Sequence, residues 1–295
     1  MENLKRRKKV SISQIIIHLI FILACIFCIL PILLVLSISL TDESVIYQNG
    51  YHLIPEAFSL DAYKYILSGS SPVLNSYLVT AIVTIVGTVV HLYLTSMLSY
   101  GLSRKEVKYS RALSFYVFFC LLFSGGMLPW YILLTKYLHL KDTIFVLIAP
   151  YLVSSVNVLI MKNFFKGIPN SIVEAARIDG SSEYNTFFKI VMPISKPVFA
   201  TIGLFVAVFY WNDWMTCSLF INNTKLYSLQ FLLQSIMDNI AYLQGNPMLE
   251  KIGTKLPDET ARMATCILAI LPIAVAYPFI QKNFEKGLTV GAVKE

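Results

Sequence analysis

Charged residues are scarce in this sequence of 295 residues, where Asp, Glu, Lys and Arg together make up only 14%. Soluble globular domains carry about a quarter of such residues, so the shortage excludes an ordinary water-solvated surface. Hydrophobic residues account for 56% of the chain, and the mean hydropathy is +0.66. This composition is typical of a protein whose surrounding solvent is lipid.

The motifs of ATP and metal chemistry are also missing. The phosphate-binding pattern G-x-x-x-x-G-K-[ST] does not occur, and no glycine is followed directly by lysine. H-E-x-x-H and G-x-S-x-G are absent as well. The four histidines are scattered, and the single CxxC, Cys25 and Cys28, has no second pair beside it. The sequence therefore predicts no catalytic residue, no cofactor and no metal site, and any ATP hydrolysis must occur on another chain.

Six apolar runs are each long enough to cross a bilayer, which needs about 20 apolar residues per helix. Backbone polar groups cannot stay unpaired in hydrocarbon, so these runs must be helices. The fold class predicted is all-α, a polytopic membrane protein with six transmembrane helices at 15–40, 73–102, 112–134, 143–161, 198–221 and 263–281. The net charge of +7 does not indicate nucleic-acid binding, because the basic residues form short clusters between apolar runs.

The distribution of Lys and Arg predicts the orientation of these helices. Residues 5–9 are all basic and precede a long apolar run without a small-residue cleavage site, which indicates an uncleaved signal anchor. Of the 24 Lys and Arg residues, 17 then fall on the side of the N-terminus and 7 on the other side. The excess predicts a plasma-membrane protein with both termini in the cytosol. Residues 1–14 and 283–295 become cytosolic tails, and 15–72 become the first transmembrane helix with an extracellular loop.

The inner connection, 162–196, carries the most informative pattern in the chain. Ser171 and Glu174 fit a capping box behind Pro169, and Gly180 can adopt the left-handed conformation that ends a helix. A second helix is predicted over 182–192, closed by the prolines at 193 and 197. Its aromatic and aliphatic side chains are expected on one face, namely Tyr184, Phe187, Phe188 and Val191.

This loop resembles the EAA signature of ABC importer permeases, which is carried by Glu174, Ala175, Ala176, Asp179, Gly180, Ile190 and Pro193. The resemblance implies that the loop binds a groove on an ATP-hydrolysing subunit and passes its motion to the membrane helices. By the same resemblance, Glu174 would meet a basic residue of the ATPase, Gly180 would form the turn, and the Tyr184–Val191 face would pack the docking helix. The alternative is an ordinary amphipathic surface helix in which Glu174 serves only its capping box.

The likeness extends over the chain from about residue 55. The sequences Ser124-Gly-Gly-Met-Leu-Pro129, Trp211-Asn212-Asp213 and Tyr277-Pro-Phe-Ile-Gln-Lys282 resemble carbohydrate-uptake permeases of the MalG-like family, within it the LplC/YtcP type. The resemblance implies an ABC type-1 (MetI/MalG-like) transmembrane domain over 73–282 and an oligosaccharide as cargo. It also implies a heterodimer with a second homologous permease, two copies of a cytosolic ATPase and an extracellular sugar-binding protein.

Polar residues inside the predicted spans are candidates for the substrate pathway, because their burial in lipid is costly. His91 lies in a stripe with Thr80, Thr84, Thr88 and Thr95, which could line the pathway or pack against another helix. Trp211 is about 21 Å from the start of its span, and with Asn212 and Asp213 it suits a sugar or, alternatively, an interfacial anchor. Asn157 is a weaker candidate of the same kind.

Other functions remain open at this point. The EAA loop reports the energy source and not the cargo, so an ABC permease for a non-sugar solute is an alternative. An ion-coupled secondary transporter would require paired membrane carboxylates, and Asp213 stands alone. The long outer connection, 222–262, is expected to hold a surface helix near 226–240. Residues 242–255 within it could contact the binding protein or simply cap the outer mouth.

Overall fold

The computed structural model of the chain describes residues 12–67, 73–244 and 259–292. These segments are helical apart from turns and one isolated antiparallel bridge between Thr41 and Phe58. The chain divides into two compact units: Met1–Gly69 with Ile240–Leu268, and Ser70–Asn239 with Ala269–Glu295. The all-α fold class is confirmed.

Among the described residues, two helices are unbroken and apolar enough to cross a membrane. Helix α1 (Ile12–Ser39) contains Pro31 without a break, and its described side chains are almost entirely exposed. Helix α4 (Val73–Ser103) is 31 residues long and is buried along one side. Both agree with the predicted spans at 15–40 and 73–102 to within a few residues.

Two other predicted spans are broken in the described part of the chain. The prediction of one helix over 112–134 is wrong, because α5 (Ser110–Leu122) is followed at 109° by α6 (Met127–Ile132), which a π-helical turn, Leu133–Tyr137, prolongs. Gly126 makes the break with φ of +86°, a conformation that glycine adopts at little cost. The span at 143–161 consists of α7 (Ile144–Ile148), a 3-10 turn at Ala149–Tyr151 and α8 (Ser155–Lys166), and it bends by 47° beyond Pro150.

The region after α8 contains further short helices. Helix α9 (Asn170–Ile178) is followed by α10 (Glu183–Thr186), a π-helical turn at Phe187–Val191 and α11 (Met192–Ile194). Helix α12 (Lys196–Asn212) leaves this run at 82°. A third predicted span, 198–221, is also divided, between α12 and α13 (Met215–Phe220), with Asp213 and Trp214 outside both helices. With each bent pair counted as one crossing, the described residues contain up to five spans. The span predicted at 263–281 lies within α15 (Glu259–Ala292), so the count of six stays a prediction.

The first unit contains α1, two short helices and the start of α15. Asp42 caps α2 (Glu43–Asn49) by accepting a hydrogen bond from the Ser44 N–H at 2.9 Å, and α3 (Asp61–Leu67) follows. The Glu43 carboxylate accepts the N–H groups of Glu259 and Thr260, both at 3.0 Å. A carboxylate satisfies the unpaired donors at a helix N-terminus and complements its dipole, so Glu43 caps α15.

The second unit is organised around α4, which packs against α8 and α12. Gly87 allows α12 to approach closely, since a Cβ atom there would lie 2.6 Å from Cζ of Tyr210. The Tyr210 hydroxyl donates to the Ile148 carbonyl at 3.0 Å and so connects α12 to α7. Small residues at a crossing are the usual means by which membrane helices come together.

The predicted surface helix near 226–240 is found as α14 (Leu229–Gln244). Its first N–H group, that of Leu229, donates to the Thr80 hydroxyl oxygen at 2.8 Å. The backbone N–H of Ser228, the residue just before the helix, lies 3.3 Å from Sγ of Cys217, a contact that the sequence does not predict. The start of α14 is therefore fixed to α4 and α13. The residues predicted to contact a binding protein, 242–255, lie outside the described side chains.

Asp142 connects the turn before α7 to the end of α13. Its Oδ1 atom accepts the N–H groups of Asn222 and Asn223 at 2.9 and 2.8 Å, and its own N–H donates to the Phe220 carbonyl at 3.0 Å. Its φ is +62°, a left-handed conformation that Asp and Asn tolerate better than other non-glycine residues.

We expect Asp142→Ala to lower the free energy of unfolding by about 1–2 kcal/mol, because it removes two hydrogen bonds and leaves alanine in a left-handed conformation. Thermal unfolding of the detergent-purified protein measures the loss. Asp142→Asn is the matched control, since it keeps the conformation and an oxygen acceptor. Equal losses in the two variants would contradict the explanation.

Candidate functional site

The predicted coupling loop forms a helical hairpin whose turn is fixed by backbone hydrogen bonds. Helix α9 ends at Ile178, and Gly180, two residues later, has a φ of +77°. The Ser181 N–H donates to the Ala176 carbonyl at 2.9 Å, and the Gly180 N–H donates to the Arg177 carbonyl at 3.0 Å. These two bonds define a Schellman motif, the ending that the glycine predicts. The direction of the chain after α9 is therefore set locally.

The capping box predicted for the same helix does not form. Helix α9 begins at Asn170, and its N-cap is Pro169 in an extended conformation, without a side-chain cap. Ser171 therefore lies inside the first turn with helical geometry, whereas a capping residue must precede the helix. The Glu174 side chain is exposed, and none of the ion pairs in the described part of the chain involves it. Glu174 is thus available to a partner.

The second half of the hairpin departs from a regular helix. Ser182 caps it by accepting the Asn185 N–H at 3.3 Å, and the π-helical turn then inserts one extra residue. The insertion changes the register between the residues before it and those after it. The four predicted positions do not share one buried face. Phe187 and Val191 are buried and Phe188 is half-buried, but Tyr184 is 59% exposed.

Pro193 does not end the hairpin where the sequence suggests. Helix α11 continues through Pro193 to Ile194, and the chain turns at Ser195 before α12. The Pro193 ring is exposed, and Ile190 is half-buried. Proline is tolerated here because it occupies the first turn of α11, where its missing N–H costs little.

An exposed surface lies along the turn of the hairpin and includes one residue that sequence reasoning missed. Ile178 is 86% exposed, more than any other large hydrophobic side chain in the described part of the chain. Val173 and Ala176 define the buried face of α9, and Ile178 lies off that face at 100° per residue, so the helical periodicity could have identified it. We call the exposed set the docking face; it consists of Glu174, Ala175, Ile178, Asp179, Gly180 and Tyr184.

Aromatic contacts join the hairpin to the spans. The Phe187 ring lies 5.0 Å from the Tyr100 ring on α4 and 6.3 Å from the Phe165 ring on α8. Phe188 stacks on Tyr93 of α4 at 6.2 Å. The buried side of the hairpin is therefore packed on two helices, and a displacement of the hairpin must displace them.

Charged residues form a second connection beside these rings. The Arg177 guanidinium contacts Glu183 at 2.7 Å and Glu106 at 3.1 Å. The Glu106 backbone N–H and then Arg177 lower the pKa of the Glu106 carboxyl group below its usual value. Glu183 and Glu106 in turn raise the pKa of Arg177. Both shifts favour the charged forms of Glu106 and Arg177.

Two of the predicted pathway residues bind each other. His91 is only 2% exposed, and its Nδ1 atom lies 2.8 Å from the Tyr151 carbonyl oxygen. A carbonyl only accepts, so Nδ1 carries the proton and Nε2 accepts from Nδ2 of Asn157 at 3.0 Å. This pair links α4 to α8. Of the threonines in the same stripe, Thr84, Thr88 and Thr95 have buried hydroxyls without a hydrogen-bond partner among the described residues.

A double-mutant cycle tests whether His91 and Asn157 act as a pair. We expect His91→Ala and Asn157→Ala each to lower stability in detergent, and the double variant to lose about 1 kcal/mol less than the sum. Thermal unfolding gives the three values. Additive losses would mean that the hydrogen bond contributes nothing.

The other pathway candidates surround the end of α12. The Trp211 indole N–H donates to the Ala269 carbonyl at 3.2 Å, and the ring lies 6.3 Å from that of Tyr77. Asn212 is exposed and donates to the Val208 carbonyl at 2.8 Å. Asp213 accepts the Thr216 N–H at 3.1 Å, so its carboxylate caps the first turn of α13. Trp211, Asn212 and Asp213 are consecutive in the sequence, whereas His91 and Asn157 lie on α4 and α8.

Comparison with known proteins agrees with this architecture. Residues 94–290 match the family described as binding-protein-dependent transport system inner membrane component. The chain is 40% identical over 286 residues to the polygalacturonan/rhamnogalacturonan transport system permease protein YtcP of Bacillus subtilis (strain 168), covering 97% of this chain and 99% of that protein. It is also 40% identical over 268 residues to Protein LplC of the same organism, covering 90% and 89%.

A solved structure shares the fold. It is described as a bacterial ABC transporter involved in the import of the acidic polysaccharide alginate, with a TM-score of 0.83, 25% identity and coverage of 94% of this chain and 99% of that chain. The helices and the exposed hairpin are those of a multi-pass membrane transport component. The chain belongs to the binding-protein-dependent transport system inner membrane component family and is a permease subunit of an ABC importer.

Proposed function

We propose that this permease forms half of the pathway for an oligosaccharide, with both termini in the cytosol. Two similar proteins support a carbohydrate cargo: one is a permease of a polygalacturonan/rhamnogalacturonan transport system, and the other belongs to a transporter involved in the import of alginate. The excess of Lys and Arg on the side of the N-terminus supports the orientation. The tails 1–14 and 283–295 are then cytosolic, and the transmembrane domain extends over 73–282.

A permease of this family works with an ATPase, a binding protein and a partner permease. The finer proposal is a heterodimer with a homologous permease, on which two ATPase copies act from the cytosol. ATP hydrolysis takes place on those separate chains. Closure of the ATPases moves the hairpins and opens the cavity outward, where the binding protein delivers sugar. Hydrolysis resets the cavity toward the cytosol.

The docking face is the single observation that supports assigning the ATPase contact to particular residues. Glu174 projects from a hairpin that local hydrogen bonds fix, and it has no ion-pair partner among the described residues. We propose that Glu174 pairs with a basic residue of the ATPase and that Ile178 and Tyr184 bind an apolar groove around that residue. Exposed apolar side chains next to a charge are typical of a protein interface.

Among the pathway candidates, Trp211 and Asn212 are the residues we assign to sugar contact. Trp211 offers an aromatic face, and the exposed Asn212 amide can exchange its internal hydrogen bond for one with a sugar hydroxyl. Asp213, His91 and Asn157 already have hydrogen-bond partners within the chain. We assign these three to positioning the helices around the pathway.

Purification tests the proposal directly. The tagged chain, extracted from its native membrane in mild detergent, is expected to bring along a second permease and an ATPase that hydrolyses ATP. Membrane vesicles with this complex are then tested for uptake of labelled neutral and uronate oligosaccharides. Uptake of a non-sugar solute instead would agree with an ABC importer but contradict the oligosaccharide cargo. A chain that arrives without an ATPase under several conditions would contradict the assembly.

A further inference from the structure

Arg177 joins the coupling hairpin to a part of the chain that lies 71 residues earlier. Its Nε and Nη2 atoms both lie 2.7 Å from Oε1 of Glu183, which begins the second half of the hairpin. Its Nη1 atom donates to Oε1 of Glu106 at 3.1 Å, in the segment between α4 and α5. One side chain therefore holds both halves of the hairpin and the start of the next helical element.

Tyr100 anchors this group of charges to α4. The Tyr100 hydroxyl donates to Oε2 of Glu183 at 3.2 Å, so the two carboxylate oxygens of Glu183 face different partners. Tyr100 is buried, and the Arg104 guanidinium lies 4.5 Å from its ring centroid. We call Tyr100, Glu106, Arg177 and Glu183 the hairpin clamp.

The hairpin clamp is poorly placed to contribute much to stability. Its three charged side chains are between about a third and three fifths exposed, at 36%, 59% and 54% for Arg177, Glu106 and Glu183. Ion pairs with that exposure are weak because water and salt screen them. The arrangement nevertheless fixes an orientation, since Arg177 contacts both the second half of the hairpin and the segment between α4 and α5.

We propose that the hairpin clamp makes the coupling hairpin and the 104–109 segment move as one body when the ATPase moves, with Arg177 as the positioning residue. This inference rests on the proposed function, in which the ATPase binds the docking face. The aromatic contacts transmit displacement to α4 and α8, whereas the clamp extends it to the segment that leads into α5. Without Arg177 the hairpin still binds the ATPase, but its motion no longer carries that segment.

Distance measurements between two spin labels test the proposal in the full transporter complex. One label replaces Ser171 on α9 and the other replaces Val107, both exposed and outside the docking face and the hairpin clamp. The four cysteines that are not buried, Cys25, Cys28, Cys120 and Cys266, are replaced by alanine, while the buried Cys217 stays. Reactive cysteines of the partner subunits are replaced in the same way. Distances are recorded without nucleotide and with ATP trapped by vanadate, and ATP hydrolysis is measured alongside.

In the parent complex we expect one narrow distance distribution that is the same in both nucleotide states. Arg177→Ala is expected to broaden the distribution and shift it when ATP is trapped, while ATP hydrolysis stays within about twofold of the parent. Arg177→Lys, which keeps the charge but loses the fork, is expected to fall between the two. Lys189→Ala removes an exposed charge from the same hairpin and is the matched control, with no change.

A distribution that stays narrow and independent of nucleotide in Arg177→Ala would overturn the proposal. Loss of the ATPase from the Arg177→Ala complex would also overturn it, because Arg177 would then be a contact for the partner. The absence of an ATPase from the parent preparation would overturn the proposed function, and this inference with it.

Discussion

Replacing Glu174 with arginine is expected to lower transport by about 100-fold while the chain still reaches the membrane and remains folded. The Glu174 side chain is exposed on α9 and forms no ion pair among the described residues. The substitution is therefore expected to cost the folded permease little stability. In the complex, the new charge would face the basic residue proposed on the ATPase. Like charges brought together at a protein interface cost several kcal/mol and weaken the complex.

Co-purification of the ATPase and its hydrolysis of ATP measure this effect without knowledge of the cargo. Glu174→Gln keeps the size and loses the charge, so it should fall between the parent and the arginine variant. Lys196→Ala is the matched control, because it changes an exposed charge near the hairpin outside the docking face. An ATPase bound and active as in the parent would show that Glu174 is not at the contact.

Local signals in the sequence predicted the parts of the fold that local physics determines. The turn of the hairpin is one such part, because Gly180 alone permits the left-handed residue that the Schellman motif requires. The long helices α1 and α4 are another, because an apolar run in lipid has no alternative to the helix. The capping box failed because Ser and Glu at the right spacing do not reveal on which residue the helix begins.

The breaks within helices were harder to predict. Hydropathy over 112–134 does not distinguish one continuous helix from two helices at 109°, because the same apolar residues form both arrangements. Pro129 and the pair Gly125 and Gly126 disfavour an unbroken helix in this run, but proline and glycine are also common in membrane helices. The π-helical turn at Phe187–Val191 left no local signal at all, and neither did the exposure of Tyr184, which lies just before it.

The site shows the same division between local and distant determinants. The docking face lies within a single hairpin, so the sequence identified Glu174 and its neighbours. The pairing of Arg177 with Glu106 joins residues 71 positions apart, and no periodicity relates them. His91 and Asn157 were identified as polar residues inside spans, but their bond to each other depends on how α4 packs on α8. Pattern reasoning found the chemical groups, and packing determined their partners.

Gly87→Ala is expected to produce the largest loss of stability of any single methyl group added to α4. A Cβ atom at this position would lie 2.6 Å from Cζ and 2.7 Å from Cε2 of Tyr210, well inside contact distance. Tyr210 is buried and its hydroxyl is bonded to the Ile148 carbonyl, so the ring cannot swing away without losing that bond. Overpacking of this kind costs about 1–3 kcal/mol, which corresponds to a fall in melting temperature of about 5 °C.

A glycine on the same helix provides the control. Gly101 has no heavy atom within 4 Å of its built Cβ, so Gly101→Ala should be neutral or slightly stabilising, as expected for alanine in a helix. A second-site change separates the clash from a general effect of Gly87. Tyr210→Leu removes the ring, so the Gly87→Ala and Tyr210→Leu double variant should lose clearly less stability than the two single losses added. Additive losses, or equal losses for Gly87→Ala and Gly101→Ala, would mean that α4 and α12 do not cross at this residue. The closest approach of α12 would then lie elsewhere along α4, the helix that carries Tyr100 and contacts the coupling hairpin.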